Sequence, residues 1–180
     1  RNSTYSNDED PVSGHLWGDA ATAFFFSDMA FKDKEPQVLD IITEGMGQIG
    51  HGTKGVSLRP KDDGISMPYG KDVFIQACTY ITQNTQDILD WNGFSIDDLT
   101  YFIGHQANMR ILKNVSKQLN MSENKLLANI EELGNTGSAS SVLVFAQNKD
   151  KFQQGDLICI SVFGGGYSAG ACLIKMMAAS

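Results

Sequence analysis

The sequence predicts an α/β fold: a mixed, mostly parallel sheet with helices packed on it. Three observations carry that expectation. Residues 72–91, the stretch after His105, and residues 138–148 place apolar side chains at helical spacing. Residues 99–103, 126–130, 157–163 and 169–177 are short apolar runs of strand length. The two kinds alternate, and the order helix, strand, helix, strand, helix, strand, strand implies parallel neighbours joined by helices and closed by one antiparallel strand.

Taken in order, residues 1–13 are polar and read as loop. Gly18-Asp19 leads into 20–27, where Ala23 and Phe24 to Phe26 form a continuous apolar run. Such a run is a strand covered on both faces, or a strand separated from its sheet. Residues 28–35 turn the chain, and 38–43 form a second strand after Pro36. From 44 to 69 there are six glycines, two prolines and almost no periodicity, which predicts a long loop of functional or mobile character. The helix over 72–91 carries Phe74, Ala77, Cys78, Ile81, Ile88 and Leu89 on its apolar positions and stops at Asn92-Gly93. Residues 95–98 make a short capped turn before the strand at 99–103. The next helix places Ile111, Leu112, Val115 and Leu119 on one face. A turn at 122–123, a strand at 126–130, and a helix at 138–148 with Val142, Leu143, Phe145 and Ala146 inward follow. Gly155-Asp156 turns the chain into the last two strands.

Composition narrows the function classes. A chain of 180 residues that is 42% hydrophobic and 19% charged has enough apolar material for one globular core. Its net charge of -7 argues against a general nucleic-acid role. The apolar runs fall short of the roughly 18 to 20 residues that span a bilayer, and no signal peptide pattern opens the chain, so a cytoplasmic protein without a membrane role is expected. Cys78, Cys159 and Cys172 have neither C-x-x-C spacing nor metal-ligand neighbours, which predicts reduced core residues and no metal site. The chain begins with Arg1 rather than methionine, which suggests a piece of something longer.

Three stretches look chemical. His105 stands just past a strand that ends in Gly104, where open α/β sheets place their crevices. Gly134-Asn135-Thr136-Gly137-Ser138 follows a strand and opens a helix, and Phe163-Gly164-Gly165-Gly166-Tyr167 follows another strand. A histidine, an asparagine and a glycine-rich turn, each beyond a strand, suggest one site. Each also has a plainer reading: a structural histidine, an αL turn with helix cap, and a hairpin. On the helix after His105, Arg110, Lys113 and Lys117 lie within about 60° of one another, opposite Ile111, Val115 and Leu119. No acid falls between Gln106 and Asn120. In an acidic chain this basic stripe is either a solvated helix face or a dock for an anionic partner.

Gly104-His105-Gln106-Ala107-Asn108-x-Arg110-Ile111, then Gly134-Asn135-Thr136, then Phe163-Gly164-Gly165-Gly166 with Gly170-Ala171, resemble the C-terminal half of the ketoacyl-ACP synthase III family of thiolase-like condensing enzymes. Gly18-Asp19-Ala20 is similar to that family's Gly-Asp-Gly segment, without its second glycine, and Met67-x-x-Gly70-x-x-Val73-Phe74 is similar to the start of one of its helices. Gly137 stands where serine or alanine is common. The resemblance implies a thiolase-like half with a five-stranded mixed sheet. Residues 1–34 would be the tail of the first half, including a strand at 20–27, and 35–180 the second half. It implies a dimer in the full-length protein. It implies an acyltransferase of fatty acid or polyketide biosynthesis with no bound cofactor, using acyl-CoA or a phosphopantetheinylated acyl carrier protein.

By the same resemblance His105 and Asn135 are catalytic donors to an enolate oxygen, and Gly165 supplies an oxyanion-hole amide. Gly70, Phe74, Asn108 and Arg110 contact the pantetheine arm or carrier, and Lys113 and Lys117 extend that surface. The nucleophilic cysteine of the family lies in the half that this sequence lacks, so the 180 residues alone are expected to be inactive. Two other readings stay open: an acyltransferase of the same family that does not decarboxylate malonyl units, and a noncatalytic pairing subunit.

Overall fold

The computed structural model describes residues 14–29, 35–56 and 65–177. The loop expected at 1–13, part of the turn expected at 28–35 and part of the loop expected at 44–69 lie outside the described residues. Among the described residues there are four strands, β1 (Pro36–Gly45), β2 (Tyr101–Gly104), β3 (Leu157–Gly164) and β4 (Ser168–Met176). The helices are α1 (Gly70–Trp91), α2 (Met109–Gln118), α3 (Ile130–Leu133) and α4 (Ser140–Gln147). Among the described residues the strands form one sheet in the order β1-β4-β3-β2.

Strand β3 explains the layering. Its side chains alternate between two apolar clusters, so a run that is apolar throughout is buried on both faces. Leu157, Cys159 and Phe163 join Ala77, Ile81, Ile88 and Leu89 of α1 and Ile111 and Val115 of α2 on one side. Ile158 and Ile160 join Val144 and Phe145 of α4 and Phe152 on the other. Helix α1 ends where the sequence signals it, with Gly93 at φ 73 and the Phe94 N–H donating to the Leu89 carbonyl at 2.9 Å. The turn at 95–98 is closed by Asp98, which accepts from the Ser95 N–H and hydroxyl.

The sheet is mixed, as expected, but not mostly parallel. Only β2 and β3 run parallel; β4 returns antiparallel to β3, and β1 adds antiparallel to the far side of β4. The fifth strand, expected at 126–130, is reduced to a single bridge from Leu126 to Phe102, with the Leu127 N–H donating to the Phe102 carbonyl at 2.9 Å. The reason is local. Strand β2 ends at Gly104, and the Asn129 N–H donates to the Gln106 side chain at 3.0 Å instead of to a ladder partner, after which α3 begins.

The strand expected at 20–27 does not form. Apolar β-forming residues make a strand only when a second strand pairs with them, and among the described residues no ladder includes this segment. Phe25 and Phe26 are 84% and 65% exposed, while the Phe24 ring rests against Phe145 at 6.0 Å between centroids.

Candidate active site

Because β2 and β3 are parallel, both deliver their C-terminal ends to one edge of the sheet, and the register pairs Gly104 with Ser161. His105 is the first residue beyond β2, held by its N–H donating to the Ser161 carbonyl at 2.9 Å. Gly165 lies just past the end of β3, in the turn that leads to β4. Helix α2 starts four residues after His105, and the first turn of α1 reaches the same edge, since Asp72 accepts a hydrogen bond from the Tyr167 hydroxyl. The sheet edge therefore gathers His105, Gly165 and two helix N-termini, whose positive dipole ends favour a developing negative charge.

His105 is half-buried at the sheet edge, and the desolvation there lowers its pKa from 6.5 to about 4. At neutral pH the ring is uncharged, with one N–H to donate and one nitrogen to accept.

Asn135 is 4% exposed. Its segment is fixed by pairing with Trp17: the Asn135 N–H donates to the Leu16 carbonyl at 2.7 Å, and its carbonyl accepts from the Gly18 N–H at 3.0 Å. A side chain on Gly18 would collide with the Leu133 carbonyl oxygen, which accounts for glycine at this close approach. The Asn135 Oδ1 accepts from the Gly137 N–H at 2.9 Å, so the donor end of the carboxamide is the end turned away from its own turn. That bond is the turn chemistry of the plainer reading, and it orients the amide as well.

A connection between the two segments was not anticipated from the sequence. The Gly104 carbonyl accepts from the Gln106 Nε2 at 2.8 Å and from the Ser141 hydroxyl at 3.3 Å. Ser141 lies in the first turn of α4, six residues after Asn135, so the histidine and asparagine segments are tied through one carbonyl. Gln106 is fully buried and also accepts from the Asn129 N–H. In the sequence Gln106 stands among His105, Asn108 and Arg110, and nothing there marks it as a buried bracket.

The remaining expected residues are distributed as follows. Arg110, Lys113 and Lys117 are exposed along α2, opposite the buried Ile111, Leu112 and Val115. Asn108 caps α2, its Oδ1 accepting from the Arg110 N–H at 2.8 Å. Gly70 is the first residue of α1, and Phe74 packs half-buried against the core. The structure adds Asp72, Tyr167 and His51 to the site edge. Asp72 accepts from the His51 N–H at 2.9 Å and from Gln76, and the His51 ring stacks on Tyr69 at 3.7 Å.

Burial disfavours the nucleophilic thiolate at all three cysteines. Burial pushes Cys159 up to about 12 and Cys172 up to about 11, and it raises Cys78 on α1 as well. Among the described residues there is no cluster of His, Cys, Asp or Glu that could hold a metal ion, and no helix is long and apolar enough to cross a membrane.

With this geometry in place, comparison with known proteins is informative. Residues 89–176 match the family described as 3-oxoacyl-(acyl-carrier-protein) synthase III C terminal. The beta-ketoacyl-(acyl-carrier-protein) synthase III of Coxiella burnetii is 32% identical over 170 residues, covering 89% of this chain and 53% of that protein. The protein of the same name from Campylobacter jejuni is 33% identical over 167 residues, covering 89% and 50%. The chain thus spans about half the length of these curated relatives. Among solved structures, the 3-oxoacyl-(acyl carrier protein) synthase III of Pseudomonas aeruginosa superposes with a TM-score of 0.71 at 28% identity, over 79% of this chain and 45% of that one. The enzyme of Aquifex aeolicus gives 0.72 at 25% identity, over 82% and 46%.

Proposed function

Since the chain belongs to the 3-oxoacyl-(acyl-carrier-protein) synthase III family through its C-terminal half, we propose that it is the C-terminal catalytic portion of an enzyme that condenses an acyl thioester with a malonyl thioester. Residues 35–180 are read as the second thiolase-like half, and a first half supplies the cysteine that carries the acyl group. The malonyl thioester loses carbon dioxide, and the electron pair of the broken C–C bond forms an enolate. His105 and Asn135 donate hydrogen bonds to the enolate oxygen. The carbanion carbon then attacks the acyl carbonyl, whose oxygen is met by the Gly165 N–H, and the cysteine thiolate leaves.

The observation that carries this reading is the placement of His105 at the shared edge of β2 and β3, where desolvation favours the uncharged imidazole. An uncharged donor stabilises a forming oxyanion without first having a charge of its own to desolvate. Asn135, turned by its Gly137 contact, is the matching second donor. Its presence favours a decarboxylating enzyme over an acyltransferase that leaves malonyl units intact. The pantetheine arm runs past Gly70, Phe74 and Asn108, and the exposed Arg110, Lys113 and Lys117 meet the acidic carrier or the coenzyme A phosphates. The full-length protein is read as a homodimer in the cytoplasm.

In the full-length protein, His105→Ala and Asn135→Ala should each abolish condensation, with about 3 to 4 kcal/mol lost per donor, and leave self-acylation of the cysteine largely intact. Loss of self-acylation in both variants would show the roles to be misassigned. The 180 residues alone should show no malonyl-thioester decarboxylation or acyl transfer.

A further inference from the structure

The turn that carries Gly165 has three consecutive glycines and so no side chains of its own to hold it. Its position depends on its two ends. One end is set by the pairing of Gly164 with Ser168. The other is Tyr167, which is 1% exposed and packs its ring against Phe163 at 5.0 Å between centroids. A phenylalanine would fill that space as well, so the hydroxyl has a separate role: it donates to the Asp72 Oδ2 at 2.8 Å. The same carboxylate accepts from the His51 N–H, and the Tyr167 carbonyl accepts from the Met46 N–H at 2.8 Å. Loop 46–55 is thereby fastened to the glycine turn at two points. Gly55 lies against the Tyr167 hydroxyl, where a Cβ would displace it, and a Cβ on Gly50 would displace the Asp72 carboxylate.

We propose that Tyr167 and Asp72 form a latch that binds loop 46–55 to the glycine turn and makes both side chains positioning residues for the Gly165 amide. The inference rests on the oxyanion role assigned to Gly165 above. Tyr167 is only two residues from Gly165, so a shift of the ring is transmitted to that amide through two peptide units, and a misplacement of about 1 Å is enough to weaken an oxyanion contact strongly. Asp72 sits in the first turn of α1, where its charge is favoured by the helix dipole and by its three donors, which hold its carboxyl below the usual carboxylate range.

The test uses Tyr167→Phe and Asp72→Asn in the full-length protein, with hydrogen exchange as the first readout. Exchange should speed up at least about tenfold in segments 46–52 and 163–168 while α2 stays unchanged. No change in those segments, or an equal rise in α2, would overturn the latch. The second readout is kinetic: kcat for condensation should fall about tenfold with KM for the malonyl thioester within about twofold, and the double variant should be no worse than the poorer single one. Faster exchange with an unchanged kcat would overturn the positioning role. If the wild-type protein shows no condensation, the functional reading fails while the exchange experiment still decides the latch.

Discussion

Gln106 is the side chain on which the site's scaffold turns, and replacing it gives a measurable consequence. Gln106→Met keeps the volume and removes both hydrogen bonds. The Gly104 carbonyl still has the Ser141 hydroxyl, but the Asn129 N–H is left without its acceptor in a place where Asn129 is only 8% exposed. Losing a buried hydrogen bond costs about 1 kcal/mol net, and an orphaned buried N–H adds about 1 to 3 kcal/mol. The expected loss is therefore about 2 to 4 kcal/mol of stability, or about 5 to 15 °C in Tm for a chain of this size. Urea unfolding followed by circular dichroism measures it, with an unchanged m-value showing that only stability has moved. A loss below about 0.5 kcal/mol would refute the argument, because it would mean that Gln106 does not bracket β2 to the 129 segment.

Three further outcomes follow from the same geometry. An NMR titration of His105 should give a midpoint near 4; in the window from about 4 to 6.5 the unfolded chain takes up a proton that the folded one refuses, so this residue's share of stability, on the order of 3 kcal/mol, rises with pH through the window and is lost as pH falls towards 4. A midpoint above 6 would contradict the neutral donor. Gly18→Ala drives a methyl group into the Leu133 carbonyl and should cost about 1 to 3 kcal/mol in denaturation, with loss of the pairing to Asn135 visible as faster amide exchange at that residue. Lys113→Glu should leave Tm within about 1 °C and raise KM for an acyl carrier protein in a salt-dependent way, the effect shrinking by 0.5 M salt; a KM that ignores salt would make the stripe a mere solvated face.

Much of this was legible in the sequence where the pattern is set by local burial. The helix 70–91, the two final strands and the position of His105 beyond β2 all follow from periodicity and glycine stops, because those signals are written in the element itself. The failures share a different cause. Phe24 to Phe26 have the composition of a strand, but a strand is a property of two segments, and among the described residues no ladder pairs with this one. Residues 126–130 fail for the opposite reason, since a side chain, Gln106, takes the backbone donor that a ladder needed. The latch of Tyr167 and Asp72 joins residues 95 apart in sequence, and nothing in either neighbourhood announces the other. His51, within the glycine-rich loop, contributes its backbone to that carboxylate and its ring to a stack with Tyr69.

The state of the three thiols has a practical sequel. Alkylating reagents react with thiolates, and at neutral pH the buried Cys78 and Cys159 and the half-buried Cys172 all remain protonated. Treated briefly with iodoacetamide, these 180 residues should come through unmodified while folded. Any carbamidomethyl mark that a longer polypeptide acquires would therefore map outside them, which turns this half into a silent background against which a single reactive cysteine can be located by mass.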